Sequence, residues 1–191
     1  GEGGMLVVND ERFDKRAEII WEKGTNRSAF FRGEVDKYSW VDMGSSFLPS
    51  DVTAAFLFAQ LENLQKIQSR RVSLWEYYYK ELKVLEDQQF LVLPKPPEYA
   101  SVNGHLFYVV CKSIQHRNEL IAFLKEGGVH SVFHYVSLHK SEFYLSSNND
   151  ITLENCEMFS DRLLRLPLFY ELHTEDQDKV VDLIKLFFNV N

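Results

Sequence analysis

Hydrophobic and polar positions alternate along this chain with a period that changes several times, and each change predicts an element. Met5-Leu6-Val7-Val8 is a short apolar run that reads as a strand, preceded by the glycine-rich "GEGG". Asn9 or Asp10 then caps a predicted helix over "ERFDKRAEIIWEKG", which Gly24 stops. Residues 25–49 show neither period and carry Gly33, Gly44 and Pro49 as breaks. A loop of that length inside a folded chain is commonly functional or covered by a partner.

From Ser50 the helical period returns. Leu57, Leu61, Leu64 and Ile67 recur at helix spacing, and Leu74, Tyr78 and Leu82 resume it. The stretch is too long for an average globular helix, so a bend or a link between two lobes is expected. "PKPPEYA" is the only proline cluster and marks a boundary in the fold. Beyond it "HLFYVVCK" predicts a strand, "RNELIAFLKEGG" a helix ended by Gly127, and "VHSVFHYV" a second strand. "LENCEMFSDRLLRL" predicts a helix, and "TEDQDKVVDLIKLFF" a last one that Thr174 and Gln177 open as a capping box. Strands and helices in this order give an α/β chain.

Composition narrows the function classes. A net charge of −7 in 191 residues argues against a nucleic-acid or anionic-membrane partner. No apolar run is long enough to span a bilayer and no signal-peptide pattern opens the chain, so the cytoplasm is expected. Cys111 and Cys156 lie far apart without metal-ligand spacing and read as reduced thiols. Fifteen phenylalanines and nine tyrosines call for a large core or a buried interface.

Candidate chemistry sits in three places. Asn26, Arg27 and Arg32 share the aperiodic loop with Phe30, Phe31, Tyr38 and Trp40. Arginine's fixed fork suits a diphosphate or sugar hydroxyls, and solvated arginines are the plainer reading. Ser45 and Ser46 offer hydroxyls that can donate to a phosphate oxygen, or simply make a turn ahead of a helix cap. His130, His134 and His139 fall within ten residues, but His139 leaves the strand face that His130 and His134 would share, which disfavours zinc.

Taken in order, "GEGGMLVVND", "EKGTNRSAFFRGEVDKYSWVDMGSSFLPSDVTAAFLFAQLE", "HLFYV", "FHYVSLH" and "LLRLPLF" resemble the DegT/DnrJ/EryC1/StrS sugar aminotransferases, and among them the TDP-4-keto-6-deoxy-D-glucose transaminases. The resemblance implies the C-terminal part of a fold-type I transferase that uses pyridoxal phosphate and works as a homodimer. It implies amino transfer from glutamate to C4 of a nucleotide-linked keto sugar, a dTDP-4-keto-6-deoxy-hexose, for cell-surface polysaccharide of the lipopolysaccharide or enterobacterial common antigen type. It divides the chain into the end of the large cofactor domain with a dimer-crossing loop (1–49), a long connecting helix (50–84) and a small α/β domain (85–191).

By the same resemblance the cofactor-binding lysine lies a few residues before the G-E-G-G turn, so it falls upstream of Gly1 and the chain alone is expected to be inactive and to hold no cofactor. Ser46, with Ser45 beside it, aligns with an Asn that meets the cofactor phosphate of the other subunit, while Leu48 stands where the family has an Arg. His134 and Tyr135 align with a pair at the mouth of the partner's active site, suited to sugar hydroxyls. The alternative from another class is a truncated, non-catalytic paralogue that binds a sugar nucleotide or serves in dimerisation.

Overall fold

A computed structural model describes residues 3–190, and these form two compact units that divide between Asn63 and Leu64. Gly1 and Glu2 of the opening turn lie outside the described residues.

In the first unit the Asp10 carboxylate accepts from the backbone N–H of Arg12 at 3.0 Å and starts a 3-10 turn over Glu11–Phe13. This turn leads into α1 (Asp14–Trp21), as the capping signal predicts. The helix stops because Lys23 and Gly24 both take positive φ, and Gly24 donates back to the Ile19 carbonyl at 2.7 Å. The chain then makes the short α2 (Arg27–Phe31) and returns across the end of α1. Val41 and Asp42 donate to the Gly24 carbonyl at 2.8 and 3.1 Å, and Ser45 donates to Ile20 at 3.0 Å. Isolated bridges join Glu22 with Ser46 and Thr25 with Trp40. A Cβ on Gly24 would strike the Asp42 carbonyl, so this position has no room for a side chain as well as a φ of +78°. The predicted loop is therefore a strap fixed by main-chain hydrogen bonds.

Ser50 then caps α3 (Asp51–Glu62), its hydroxyl accepting from Thr53 at 3.2 Å. Val52, Phe56, Leu57, Phe58 and Leu61 of this helix are all exposed.

The second unit begins with α4 (Leu64–Asp87). The long helical stretch is thus two helices, with Asn63 outside helical geometry between them. Leu74, Tyr78, Leu82 and Leu85 bury one stripe of α4. That stripe packs with an antiparallel sheet of order β1-β2-β3, built from β1 (Leu91–Val92), β2 (Phe107–Cys111) and β3 (Leu163–Leu166). Phe107 pairs with Leu166, Val109 with Leu164 and Leu91 with Cys111, so buried side chains face one another across the ladders. Around them lie α5 (Ile114–Glu126), the single turn α6 (Glu142–Leu145), α7 (Glu154–Arg162) and α8 (Thr174–Phe187). Gly127 ends α5 as predicted. Arg71 donates to the carbonyls of Gly104 and His105 at 3.0 and 2.6 Å, latching the β1–β2 connection to α4. Gly104 has a φ of +59°, and a Cβ there would meet the Arg71 carbonyl.

Several expectations fail for physical reasons. Residues 5–8 form no strand, since no neighbouring strand accepts their backbone groups and Met5, Leu6 and Val7 stay exposed. "VHSVFHYV" is not a strand either. Only Val132 pairs, as an isolated bridge to Arg165; Val129 and Ser131 are buried, but the alternation stops at Phe133, and Phe133, Tyr135 and Val136 are exposed, so the buried face is too short to fix a register. "LLRL" is β3 rather than the end of a helix, because β2 offers an open edge and Leu164 and Leu166 alternate into the core. The proline cluster falls between β1 and β2, inside the second unit. The capping box does not form: His173 is the N-cap, and the buried Gln177 amide donates instead to the Leu74 carbonyl at 2.6 Å. Cys111 is buried in β2 and Cys156 is exposed on α7, both as free thiols.

Candidate functional site

The candidate residues fall in both units, and each set is positioned by its own local structure. In the first unit Asn26 precedes α2, and its side-chain oxygen accepts from the Ser39 N–H at 2.8 Å. Asn26 therefore holds the strap in place. Arg27 donates to Glu22 at 2.9 Å and lies 5.1 Å from the Phe31 ring centroid. Ser28 reaches the other Glu22 oxygen at 3.2 Å, which makes this nearly buried carboxylate the polar centre of the unit. Arg32 is forked between Glu18, at 2.9 Å to both oxygens, and Glu34, at 2.7 Å. The Arg32 hydrogen bond holds the Glu34 carboxyl below the usual carboxylate range. Both arginines are thus paired with acids of the same unit. None of these partners was foreseen from sequence, since the pairing depends on where the strap returns.

Ser45 and Ser46 sit on the strap opposite Glu22, held by backbone bonds and the Glu22–Ser46 bridge. Their hydroxyls are exposed and make no hydrogen bond among the described residues. Two donors on a fixed, accessible backbone are suited to phosphate oxygens, so these residues fit a phosphate-bearing group.

In the second unit His134 and Tyr135 are joined by a cis peptide, and their rings meet edge to face at 4.0 Å between centroids. The His134 Nδ1 is buried without a hydrogen-bond partner. Burial, with the Arg165 charge adding to it, lowers the His134 pKa and keeps the imidazole neutral near pH 7. Tyr135 is 72% exposed and presents its phenol to solvent. The accessible group of the pair is the Tyr135 hydroxyl, suited to a polyhydroxylated ligand, while the orphaned His134 Nδ1 is enclosed by the protein.

The third histidine has a different role. His139 is buried and its Nε2 lies 3.0 Å from Glu157, a carboxylate that also accepts from the Leu153 N–H at 3.0 Å. Those bonds, the histidine's first, hold the Glu157 carboxyl below its ordinary range. Among the described residues no cluster of His, Cys, Asp or Glu is arranged to hold a metal ion, and no helix is long and apolar enough to cross a membrane.

Comparison with known proteins sets these local sites in a larger frame. The DegT/DnrJ/EryC1/StrS aminotransferase family matches residues 1–185. The fold is similar to DesV of S. venezuelae, with a TM-score of 0.80 at 24% identity over 95% of this chain and 45% of that one. It is similar to PseC of Helicobacter pylori, an aminotransferase involved in the biosynthesis of pseudoaminic acid, with a TM-score of 0.79 at 17% identity over 95% of this chain and 47% of that one. A Streptococcus pneumoniae protein described as a sugar aminotransferase and solved in its PLP-form gives a TM-score of 0.78 at 20% identity, covering 97% of this chain and 46% of that one. The chain spans less than half the length of the solved structures it matches.

Proposed function

Because the chain belongs to the DegT/DnrJ/EryC1/StrS aminotransferase family, whose cofactor is pyridoxal phosphate, we propose that it works as the downstream portion of a transaminase acting on a nucleotide-linked keto sugar. The family match along nearly the whole chain is the observation that carries this reading. The finer assignment is amino transfer from glutamate to C4 of a dTDP-4-keto-6-deoxy-hexose, in a cytoplasmic homodimer, for cell-surface polysaccharide. The division at 1–49, 50–84 and 85–191 belongs to the same proposal.

Pyridoxal phosphate supplies the electron sink on which an amino group changes carbon skeletons. This chain's own residues bind and orient. Ser46 and Ser45 donate to the cofactor phosphate across the dimer, supported by their free hydroxyls on a strap that backbone bonds hold in place. His134 accepts a hydrogen bond from a sugar hydroxyl while neutral, and Tyr135 donates to another. Asn26, Arg27 and Arg32 form the nucleotide side. Arg27 and Arg32 reach a diphosphate by exchanging it for the carboxylates of Glu22, Glu18 and Glu34, which costs them existing ion pairs. The same proposal has none of the twelve lysines of these 191 residues linking to the cofactor.

The test is an assay of the full-length gene product with pyridoxal phosphate, glutamate and dTDP-4-keto-6-deoxyglucose. A dTDP-amino sugar detected by mass spectrometry together with 2-oxoglutarate is the expected result. Cofactor binding without an amino sugar from any nucleotide-linked keto sugar would overturn the substrate, and no cofactor binding would return the protein to a non-catalytic binding or dimerisation module.

A further inference from the structure

We infer that a cavity in the second unit, walled by the start of α5, by Phe133, Val136 and Ser137, and by the end of α7, binds a small zwitterion with an apolar body, chemically an amino acid with a hydrocarbon side chain. The inference goes beyond the function proposed above and uses none of the residues assigned there. The cavity holds about 380 Å³, within the roughly 300–1,000 Å³ of known ligand pockets.

Its floor carries Arg117, only 7% exposed and without a carboxylate partner. Nε and Nη2 of this guanidinium donate to the Asn118 side-chain oxygen at 3.2 and 2.9 Å, and Nη1 donates to the Ser160 carbonyl at 3.0 Å. The Phe133 ring covers it, with 4.9 Å between the guanidinium carbon and the ring centroid. A guanidinium has five N–H donors, so one on each terminal nitrogen is left over. A cation this deeply buried is costly unless an anion meets it.

The other charged groups on the wall decide what kind of anion. Lys140 is spent on Asp150 at 2.6 Å and Glu157 at 3.6 Å, and Glu157 is spent on His139, the Leu153 N–H and Lys140. Asp161 also lines the cavity, is exposed, and has no hydrogen bond or ion pair among the described residues. The two unspent charges are therefore opposite in sign, and they do not pair with each other. A simple anion would be repelled by Asp161 and a simple cation by Arg117. A molecule carrying a carboxylate for Arg117 and an ammonium for Asp161 satisfies both. Phe133, Ile114 and Val136, all partly exposed, supply the apolar wall for its hydrocarbon part.

The experiment is an NMR titration of the 191-residue chain with L-leucine, and in parallel with 4-methylpentanoate and 3-methylbutylamine, which lack the ammonium and the carboxylate respectively. L-leucine should shift the amides of Phe133, Val136 and Asp161 saturably, and each analogue should bind at least tenfold more weakly. Asp161→Asn and Arg117→Gln should each weaken leucine at least tenfold. Where Arg117→Gln disturbs the fold, Asp161→Asn and Phe133→Ala, both at exposed positions, carry the test. Absence of saturable shifts at millimolar leucine overturns the site, equal binding of either analogue overturns the zwitterion, and unchanged affinity in Asp161→Asn overturns the role of that carboxylate.

Discussion

The two units are stabilised by different means. Every buried apolar side chain among the described residues belongs to the second unit, where α4, β2, β3 and α8 enclose Tyr78, Leu82, Phe107, Leu164 and Ile184 at 0% exposure. The first unit buries none. It is organised by main-chain hydrogen bonds onto the end of α1 and by the ion pairs of Arg16, Arg27 and Arg32. Its large apolar residues, among them Trp40, Phe47, Phe56 and Phe58, remain exposed by half or more. Exposed apolar area of this extent is characteristic of an interaction surface. One unit is specified by what it encloses, the other by how its backbone closes.

The strongest way to break this contrast is to cut equivalent side chains in both. Leu82→Ala removes a fully enclosed side chain and should cost about 2–5 kcal/mol in denaturant unfolding. Leu57→Ala, at 53% exposure, should change the same measurement by less than about 0.5 kcal/mol. Equal effects would show that α3 has an enclosing core of its own.

The next effect separates the units by pH. Burial, partly offset by the Arg117 charge, pushes the Cys111 thiol up to about 11 from 9.0, so the folded chain keeps a proton that the unfolded chain releases. The stability linked to this thiol is complete below pH 9 and is lost as pH rises toward 11, by about 2–3 kcal/mol. Cys111→Ala should flatten that alkaline slope in unfolding measured from pH 8 to 11. An unchanged slope would assign it to other groups, beginning with Tyr78, whose phenol burial also pushes upward.

A smaller and local effect probes the first unit. Gly24→Ala forces a left-handed residue with its Cβ against Asp42, and should open the strap at a cost of about 1–3 kcal/mol. Hydrogen exchange should quicken at Val41, Asp42 and Ser45 while the amides of β2 stay protected. Loss of protection in β2 would mean that the units do not unfold separately.

Legibility in the sequence follows the same divide. α1 was readable because its cap, stop and apolar spacing agree with one another, α5 from its apolar spacing and the Gly127 stop, α8 from its apolar spacing although its expected capping box does not form, and the strand at 107–111 from its apolar run. β3 was not, since "LLRL" satisfies both periods over four residues and only the open edge of β2 selects the strand. The misplaced strands at Met5 and Val129 had the right residues but no neighbour to pair with along their length. For the candidate site, the residue types at Ser46, His134 and Tyr135 were visible from resemblance, and their accessibility or unsatisfied atoms came only with the fold. The pairing of Arg27 and Arg32 with acids was invisible, because Glu18 and Glu22 lie on the end of α1 and the arginines come after a reversal that Gly24 makes. Arg117 was never singled out, as nothing in "SIQHRNEL" announces that its guanidinium will be buried without a carboxylate.

The Arg71 latch on Gly104 and His105 bears on how this lineage can vary. The connection from β1 to β2 is fastened to α4 just before β2 begins, so the register of Phe107 against Leu166 does not depend on the path taken earlier. Residues 94–101, including three of the five prolines, lie upstream of that fastening and are almost all exposed. Insertions and deletions among homologues should accumulate there, while Arg71 and Gly104 change only together, because neither the guanidinium fork nor the missing side chain has a substitute at that contact.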